Sequence, residues 1–302
     1  MSDTQNIVEV RSLSRQFRKK RALDNVTLDL PKGVVLGLVG ENGAGKTTLI
    51  KHLLGLFKAQ SGSVRVFGLD PVREPEKVLV RVGYLSENRE MPGWMRISEL
   101  MRYTQAFYPT WDAHYAEELR ETFGLDPDTK VKHLSRGQKA QAGLLIALAY
   151  RPDLLLLDEP SSGLDPVVRR DILTAIIRTV ADEGRTVLFS SHLLDEVERV
   201  ADHVVMLHKG KLAFSAPLDE AKAGHRRFTV RLAEGSATPP PLPGTLYWLE
   251  SSVRVARKEW TAICNGQCDE FKAAAAKQRI EIVEESIPSI DEIFIARVRG
   301  VE

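Results

Sequence analysis

Nine consecutive residues, Gly40-Glu41-Asn42-Gly43-Ala44-Gly45-Lys46-Thr47-Thr48, carry the spacing G-x-x-x-x-G-K-[ST]. Residues of these types hold phosphate. Backbone N–H groups must converge on the anion, and side chains would obstruct them, so glycines recur. A helix starting near Gly45 adds its dipole at the same point. Lys46 then reaches the β- and γ-phosphates of a nucleotide, and the Thr47 hydroxyl ligates Mg2+. A second constellation follows at Leu154-Leu155-Leu156-Leu157-Asp158-Glu159. Four apolar residues in a row predict a strand buried on both faces, with Asp158 at its carboxyl end beside the phosphate loop. Asp158 is expected to hold magnesium through water. Glu159 is expected to take a proton from the attacking water or to orient it.

Positioning these groups takes buried strands alternating with helices. Leu36 to Val39 predicts a strand running into Gly40, and Leu49, Leu53 and Leu54 mark one face of the helix after it. Ile172, Ile176 and Ile177 fit a helix after the Leu154–Leu157 strand, and Val187 to Phe189 and Val204 to Leu207 predict two more buried strands. That alternation means a parallel α/β sheet. Ahead of the loop the pattern is period two: Ile7, Val8 and Val10, then Val26, Leu28 and Leu30, and later Val64, Val66 and Phe67 between Gly62 and Gly68. From about Glu87 to Val131 it becomes helical and rich in aromatics, and another helix is expected from about Arg136 to Tyr150. After Pro217 the character shifts. Thr238-Pro239-Pro240-Pro241-Leu242-Pro243-Gly244 is a stiff extended loop. Around it strands are predicted at Phe228–Leu232, Thr245–Leu249 and Ile280–Val283, and a helix over Asp269–Lys277.

The chain has 302 residues, with 42 Lys plus Arg against 41 Asp plus Glu. A net charge of +1 disfavours a strongly basic nucleic-acid binder and an acidic tail protein. Two cysteines, Cys264 and Cys268, exclude a disulfide framework and fill no structural zinc site. Their C-N-G-Q-C spacing allows a bridge, or two free thiols in a reducing compartment. No apolar run approaches the roughly 20 residues of a membrane-spanning helix, and Met1 to Val10 is polar, without the apolar stretch of a signal peptide. The expectation is a cytoplasmic chain that, if it works at a membrane, relies on another chain to span it.

Leu134-Ser135-Arg136-Gly137-Gln138 resembles the LSGGQ signature of ABC-transporter ATPases. Further elements of that family occur in order. Gly83-Tyr84-Leu85-Ser86-Glu87 looks like the Q-loop, Ser162-Gly163-Leu164-Asp165 like the D-loop, and Ser190-Ser191-His192 like the switch-histidine loop. Phe17 stands where the adenine-stacking aromatic does. The resemblance spans about residues 7–225. Phe107-Tyr108-Pro109-Thr110-Trp111-Asp112 and Ile287-Pro288-Ser289-Ile290-Asp291-Glu292-Ile293-Phe294 resemble elements of bacterial ABC-2-type export ATPases of the bacitracin and multidrug type.

This resemblance implies an α/β fold: a P-loop NTPase core with a mostly parallel sheet, an antiparallel β subdomain and an inserted helical subdomain at about 87–150. Together these make an ATPase domain over 1–225, followed by a small C-terminal α/β domain over 226–302. It implies an ATP-binding and ATP-hydrolysing subunit of an exporter, using ATP and Mg2+. Such a subunit works as a head-to-tail dimer, for which a homodimer suffices, with a separate integral-membrane permease. It would lie on the inner face of the cell membrane, with no direct nucleic-acid contact. Ser135, Gly137 and Gln138, with Asp165, would act in trans on nucleotide held by the other subunit. His192 would hydrogen-bond the γ-phosphate. Glu87 stands where the family most often has Gln, touching magnesium and the attacking water, and a carboxylate is also a hard oxygen ligand. Arg136 replaces the usual second glycine, either facing solvent or adding charge near the phosphates. The run Arg18-Lys19-Lys20-Arg21 is either a solvated face or an attractor of nucleotide or anionic headgroups. Trp94, Met95 and Arg96 are expected to dock the permease's coupling helix. The alternative is a soluble ATPase of the same family with a regulatory or nucleic-acid role. Against the chromosome type, no sustained heptads separate Lys46 from Asp158. A P-loop GTPase is disfavoured because no N-K-x-D motif occurs.

Overall fold

The computed structural model describes residues 6–181, 184–232, 238–250 and 259–299. They divide between Leu212 and Ala213 into two compact units.

In the first unit β1 (Asn6–Phe17) and β2 (Lys20–Pro31) form a long hairpin. β3 (Val35–Val39) leads into the phosphate loop and α1 (Lys46–Leu53). Then come β4 (Ser61–Val66), α2 (Pro75–Leu79) and β5 (Val82–Leu85). A helical segment holds α3 (Ile97–Gln105), α4 (Ala113–Thr122) and α5 (Arg136–Leu148). β6 (Leu154–Asp158), α6 (Pro166–Ala181), β7 (Thr186–Ser191), α7 (Leu194–Val200) and β8 (His203–His208) complete the alternation, and β9 (Lys211–Pro217) runs across the division.

Two sheets result. β1 pairs antiparallel with both neighbours in the order β2-β1-β4. The period-two residues Val8, Val10, Val26, Leu28 and Leu30 all turn inward. The larger sheet runs β5-β6-β7-β3-β8-β9. Pairs β5–β6, β6–β7, β7–β3 and β3–β8 are parallel. β3, β6 and β7 are buried at every position, which is why Leu36–Val39, Leu154–Leu157 and Val187–Phe189 read as apolar runs. Their register sets the site. Asp158 lies opposite Ser190, and Val39 opposite Ser191, so the three carboxyl ends finish level.

The helical segment is braced to that sheet by the Phe107–Asp112 motif. Tyr108 stacks on Tyr150 at 3.7 Å, and the Tyr150 hydroxyl donates to the Val82 carbonyl at 2.8 Å. Asp112 caps α4 by accepting from the Tyr115 N–H, and it pairs with Arg151 at 2.8 Å.

The second unit contains α8 (Leu218–Ala223), β10 (His225–Arg231), β11 (Thr245–Glu250), β12 (Glu259–Asn265), α9 (Cys268–Lys277), β13 (Glu281–Ser286) and α10 (Ile290–Arg299). Its antiparallel sheet has the order β11-β12-β10-β13. Phe228 stacks on Phe271 at 4.5 Å in its core. Both cysteines are free thiols. Burial pushes Cys264 up to about 12, so it is an inert core thiol. The Ile287–Phe294 motif is a helix start. Ser289 and Glu292 form a reciprocal cap, and Glu292 pairs with Arg227 at 3.2 Å. The sequence boundary at 225/226 falls later than this division. Residues 213–225 belong with the second unit because Phe214 packs edge-on against His225 at 6.0 Å and beneath the Arg297 guanidinium at 5.0 Å.

His225 is buried, with Nδ1 donating to the Ala221 carbonyl and Nε2 accepting from Arg297. Burial, with Arg297 adding to it, holds its pKa below the usual 6.5. Burial does the same to His52 in the first unit. Each folded-state pKa is depressed, so the unfolded chain binds more protons as pH drops below about 6.5, and stability falls with it. Thermal unfolding of the full chain is therefore expected at lower temperature at pH 5.5 than at pH 7.5. His225→Gln should narrow that gap, and an unchanged gap would refute the assignment.

Candidate active site

The phosphate loop is built from backbone that only glycine tolerates. Gly40 and Gly45 have φ of 155° and 114°. A Cβ on Gly40 would lie 2.4 Å from the Leu207 carbonyl, and one on Gly45 would lie 2.5 Å from that of Ala22. α1 begins at Lys46 with no side-chain cap and no acidic residue in its first turn. Its N-terminal N–H groups are thus left to an anion. Lys46 is buried, and its Nζ donates to the Gly40 carbonyl at 2.6 Å.

Beside it stand the two acids at the end of β6. Asp158 is buried and accepts the Ser190 hydroxyl at 2.8 Å. The same Ser190 oxygen accepts the Glu159 N–H at 2.9 Å. Glu159 has left-handed backbone, φ 49°, a conformation that costs a non-glycine residue about 1–3 kcal/mol and concentrates at functional sites. Its carboxylate bridges two cationic or polar groups: Oε1 is 2.9 Å from Lys46 Nζ, and Oε2 accepts from His192 Nδ1 at 2.7 Å. Lys46, Glu159 and His192 come from three separate elements and meet because β3, β6 and β7 end level.

Other expected residues gather around the same place. Phe17, Asn42, Gly43, Thr48, Glu87 and Glu159 line one cavity with Gly45, Lys46 and Thr47, whereas Gly40 and Ala44 do not line it. Phe17 is 38% exposed, its edge held by Phe57 and its face by the Arg15 guanidinium. Within the basic run, Lys20 lines this cavity too, with its Nζ close over Gly43. Thr47, Glu87 and Asp158 line an adjoining cavity with Tyr84. Burial, then Asp158, Glu87 and Glu90, push the Tyr84 phenol up to about 12.

The signature residues lie elsewhere. Ser135, Gly137, Gln138 and Asp165 line neither cavity. Ser135 and Gln138 cap α5 reciprocally at 3.1 and 3.0 Å, and both are exposed. Gly137 is buried where α5 meets α6, since a Cβ there would sit 3.0 Å from Val168. Asp165 caps α6 through the Val167 and Val168 N–H groups. Of the two courses expected for Arg136, the structure shows the solvent-facing one: the residue is exposed, with its guanidinium lying against Gly163 of its own chain. The docking expectation also needs correction. Met95 is buried in the helical segment, and Arg96 is occupied at the start of α3, whereas Trp94 is 68% exposed.

Sequence reasoning assigned no role to Ser190 and overlooked Glu196. Glu196 is 1% exposed and gathers the loops on either side of the site. It accepts the Ser161 hydroxyl at 2.6 Å and that of Ser191 at 3.1 Å, and it pairs with Arg169 at 3.2 Å. In the sequence it stands in Leu194-Asp195-Glu196-Val197-Glu198, which looks like a solvated acidic turn.

A glycine-rich loop between a buried strand and a helix, with an acidic pair ending a parallel strand one removed in the same sheet, defines a P-loop nucleoside triphosphatase. The family described as ABC transporter matches residues 23–162. The bacitracin transport ATP-binding protein BcrA of Bacillus licheniformis is 32% identical over 227 residues, covering 74% of this chain and 73% of that protein. The daunorubicin/doxorubicin resistance ATP-binding protein DrrA of Streptomyces peucetius is 30% identical over 303 residues, covering 96% and 91%. A solved ATP-binding subunit of an ABC transporter superposes with a TM-score of 0.67 at 29% identity, over 72% of this chain and 92% of that one. The chain belongs to the ABC transporter family, as an ATP-binding subunit with ATPase activity.

Proposed function

We propose that this chain drives export through a separate membrane permease, closing as a head-to-tail dimer on ATP and opening after hydrolysis. The observation that carries the reading is the split site. The phosphate loop, Glu159 and His192 meet in one place, while Ser135 and Gln138 stand exposed at a helix start outside it. A second copy would bring that helix start to the first copy's γ-phosphate, where its N–H groups and the Ser135 hydroxyl favour an anion. Binding energy realised only in the closed state is what lets a nucleotide shift the equilibrium.

Within one site, Phe17 would stack on adenine, and the loop N–H groups with Lys46 would hold the phosphates. Thr47, Asp158 and Glu87 offer hard oxygen atoms of the kind Mg2+ takes. Among the described residues no three His, Cys, Asp or Glu gather into a metal cage. That suits an ion held by one or two protein oxygens plus substrate phosphates. Mg2+ would neutralise charge developing on the transferred phosphoryl group. Glu159 would orient the attacking water and accept its proton, and His192 would hold the γ-phosphate while keeping Glu159 aimed.

Support for the permease comes from two sides. Among the described residues no helix is long and apolar enough to cross a membrane. An apolar groove lined by Leu54, Leu56, Leu79, Val82 and Tyr108 opens at the foot of the helical segment, and Leu56 is 62% exposed. A short permease helix on the cytoplasmic side would seat there. Export is the direction suggested by relatives named for bacitracin transport and for daunorubicin/doxorubicin resistance. A tagged pull-down from detergent-solubilised native membranes tests this. It should recover a polytopic chain at about one to one. Recovery of soluble partners or ribosomes alone would overturn the membrane role and leave the ATPase chemistry standing.

A further inference from the structure

Arg89 is a charged residue in the wrong place for a solvated one. It follows β5 with left-handed backbone, φ 51°, and its N–H donates to the Ser86 carbonyl at 3.1 Å, closing a turn around Glu87. Its side chain is 6% exposed. Burying a guanidinium is unfavourable unless its donors are used. Among the described residues no carboxylate lies within ion-pair distance of it, Glu87 acts on it only from further off, and its Nε has no hydrogen-bond partner. Burial, reinforced by the nearby Arg136, lowers its pKa. The fold tolerates this cation for two bonds: Nη2 donates to the carbonyls of Pro160 and Ser162, each at 3.0 Å.

Those carbonyls belong to the loop that begins at Glu159. Glu159 is thus held on both sides. Ser190 takes its N–H from β7, and Arg89 takes the carbonyl of the residue after it. Between these two bonds lies the left-handed backbone at φ 49°. A strained conformation persists only where its surroundings over-determine it. Without the second bond the loop keeps its Ser161–Glu196 and Ser162–Glu159 bonds but loses its tie to the Glu87 turn, and a side chain as long as glutamate magnifies a small backbone rotation at its carboxylate. The same arginine sits two residues after Glu87, so the turn bearing one acid is tied to the loop bearing the other.

We infer that Arg89 is a positioning residue: it aims the Glu159 carboxylate between Lys46 and His192, and it makes the Glu87 turn and the 159–163 loop move as one body. This rests on Glu159 acting in hydrolysis. Arg89 lines the cavity of Thr47, Glu87 and Asp158 and is absent from the one formed by Phe17, Lys46 and the phosphate loop, so its loss should lower turnover far more than nucleotide affinity.

The test uses the full chain with Mg-ATP, comparing wild type, Arg89→Ala, Arg89→Lys, Glu159→Gln and the double variant Arg89→Ala/Glu159→Gln. Arg89→Ala should lower kcat about 10–100-fold, the usual range for a supporting residue, with ATP affinity changed less than about threefold. Arg89→Lys should restore part of the rate, because an ammonium serves the carbonyls without the planar fork. In the Glu159→Gln background Arg89→Ala should remove no further activity. A folded Arg89→Ala protein with wild-type kcat overturns the inference, as does an equal loss of kcat and affinity. Should Arg89→Ala not fold, Arg89→Lys decides by the same split between kcat and affinity. If Glu159→Gln itself keeps wild-type turnover, the reading of Glu159 fails. If Glu159→Gln is inactive and Arg89→Ala is fully active, only the role of Arg89 fails.

Discussion

Replacing Glu159 by Gln should stop ATP turnover and leave ATP bound at least as tightly as before. Glutamine keeps the length and most of the shape of glutamate, and the local bonds can be kept as well. Its amide oxygen can stay beside Lys46 Nζ, where Oε1 now forms an ion pair at 2.9 Å. Its NH2 donates to His192 Nδ1 where Oε2 now lies at 2.7 Å, once the imidazole carries its proton on Nε2. What is lost is the base. Proton transfer by a positioned group contributes roughly 10²–10⁴ in rate, so phosphate release should fall by at least that range. Affinity should hold or rise, because an uncharged amide competes less than a carboxylate for the lysine that the phosphates need. Phosphate release and equilibrium binding of a fluorescent ATP analogue measure the two halves separately. Wild-type turnover in the folded variant would remove Glu159 from the chemistry. A parallel loss of binding would make it a scaffold for the loop.

The parts of this site that could be read from the sequence are those whose physics is local. The phosphate loop is contiguous, and its glycines report their own backbone: Gly40 and Gly45 do adopt conformations closed to other residues. Leu154 to Leu157 announced a strand buried on both faces because every one of its side chains is apolar. Register is different, since it depends on strands far apart in the chain. Nothing near Ser190 says that it lies opposite Asp158 and holds Glu159 in place. Glu196 and Arg89 are obscured for the same reason. Each is a charged residue in a charged stretch, and only the folded chain takes it out of water. Face assignment failed at Trp94 and Met95, because two adjacent apolar residues give no sign of which one turns inward. The Phe107–Asp112 motif could be noticed as a family mark, but its work as a stack and a cap needed Tyr150 and Arg151 beside it. The division near residue 212 escaped because the composition changes only after Pro217, whereas packing already changes at Phe214.

Lys46→Ala should have the larger effect on binding, and it should also destabilise the empty protein. The ammonium is 6% exposed and serves three partners, the carbonyls of Gly40 and Glu41 and the Glu159 carboxylate. A hydrogen bond to a charged group contributes about 1.5–3 kcal/mol, so losing it at the phosphates weakens ATP about 10–100-fold. In the empty site the same deletion leaves the buried Glu159 carboxylate with His192 as its remaining partner. Removing one member of a buried charge pair is more disruptive than removing both. The double variant Lys46→Ala/Glu159→Gln should therefore unfold at higher temperature than Lys46→Ala alone, while binding ATP no better. Thermal unfolding of the four proteins in a double-mutant cycle, without nucleotide, isolates the pair's coupling. Additive shifts would mean that Lys46 and Glu159 do not hold one another in the resting chain. A positive coupling would identify the ion pair as the contact that ATP must displace before Glu159 is free to meet its water.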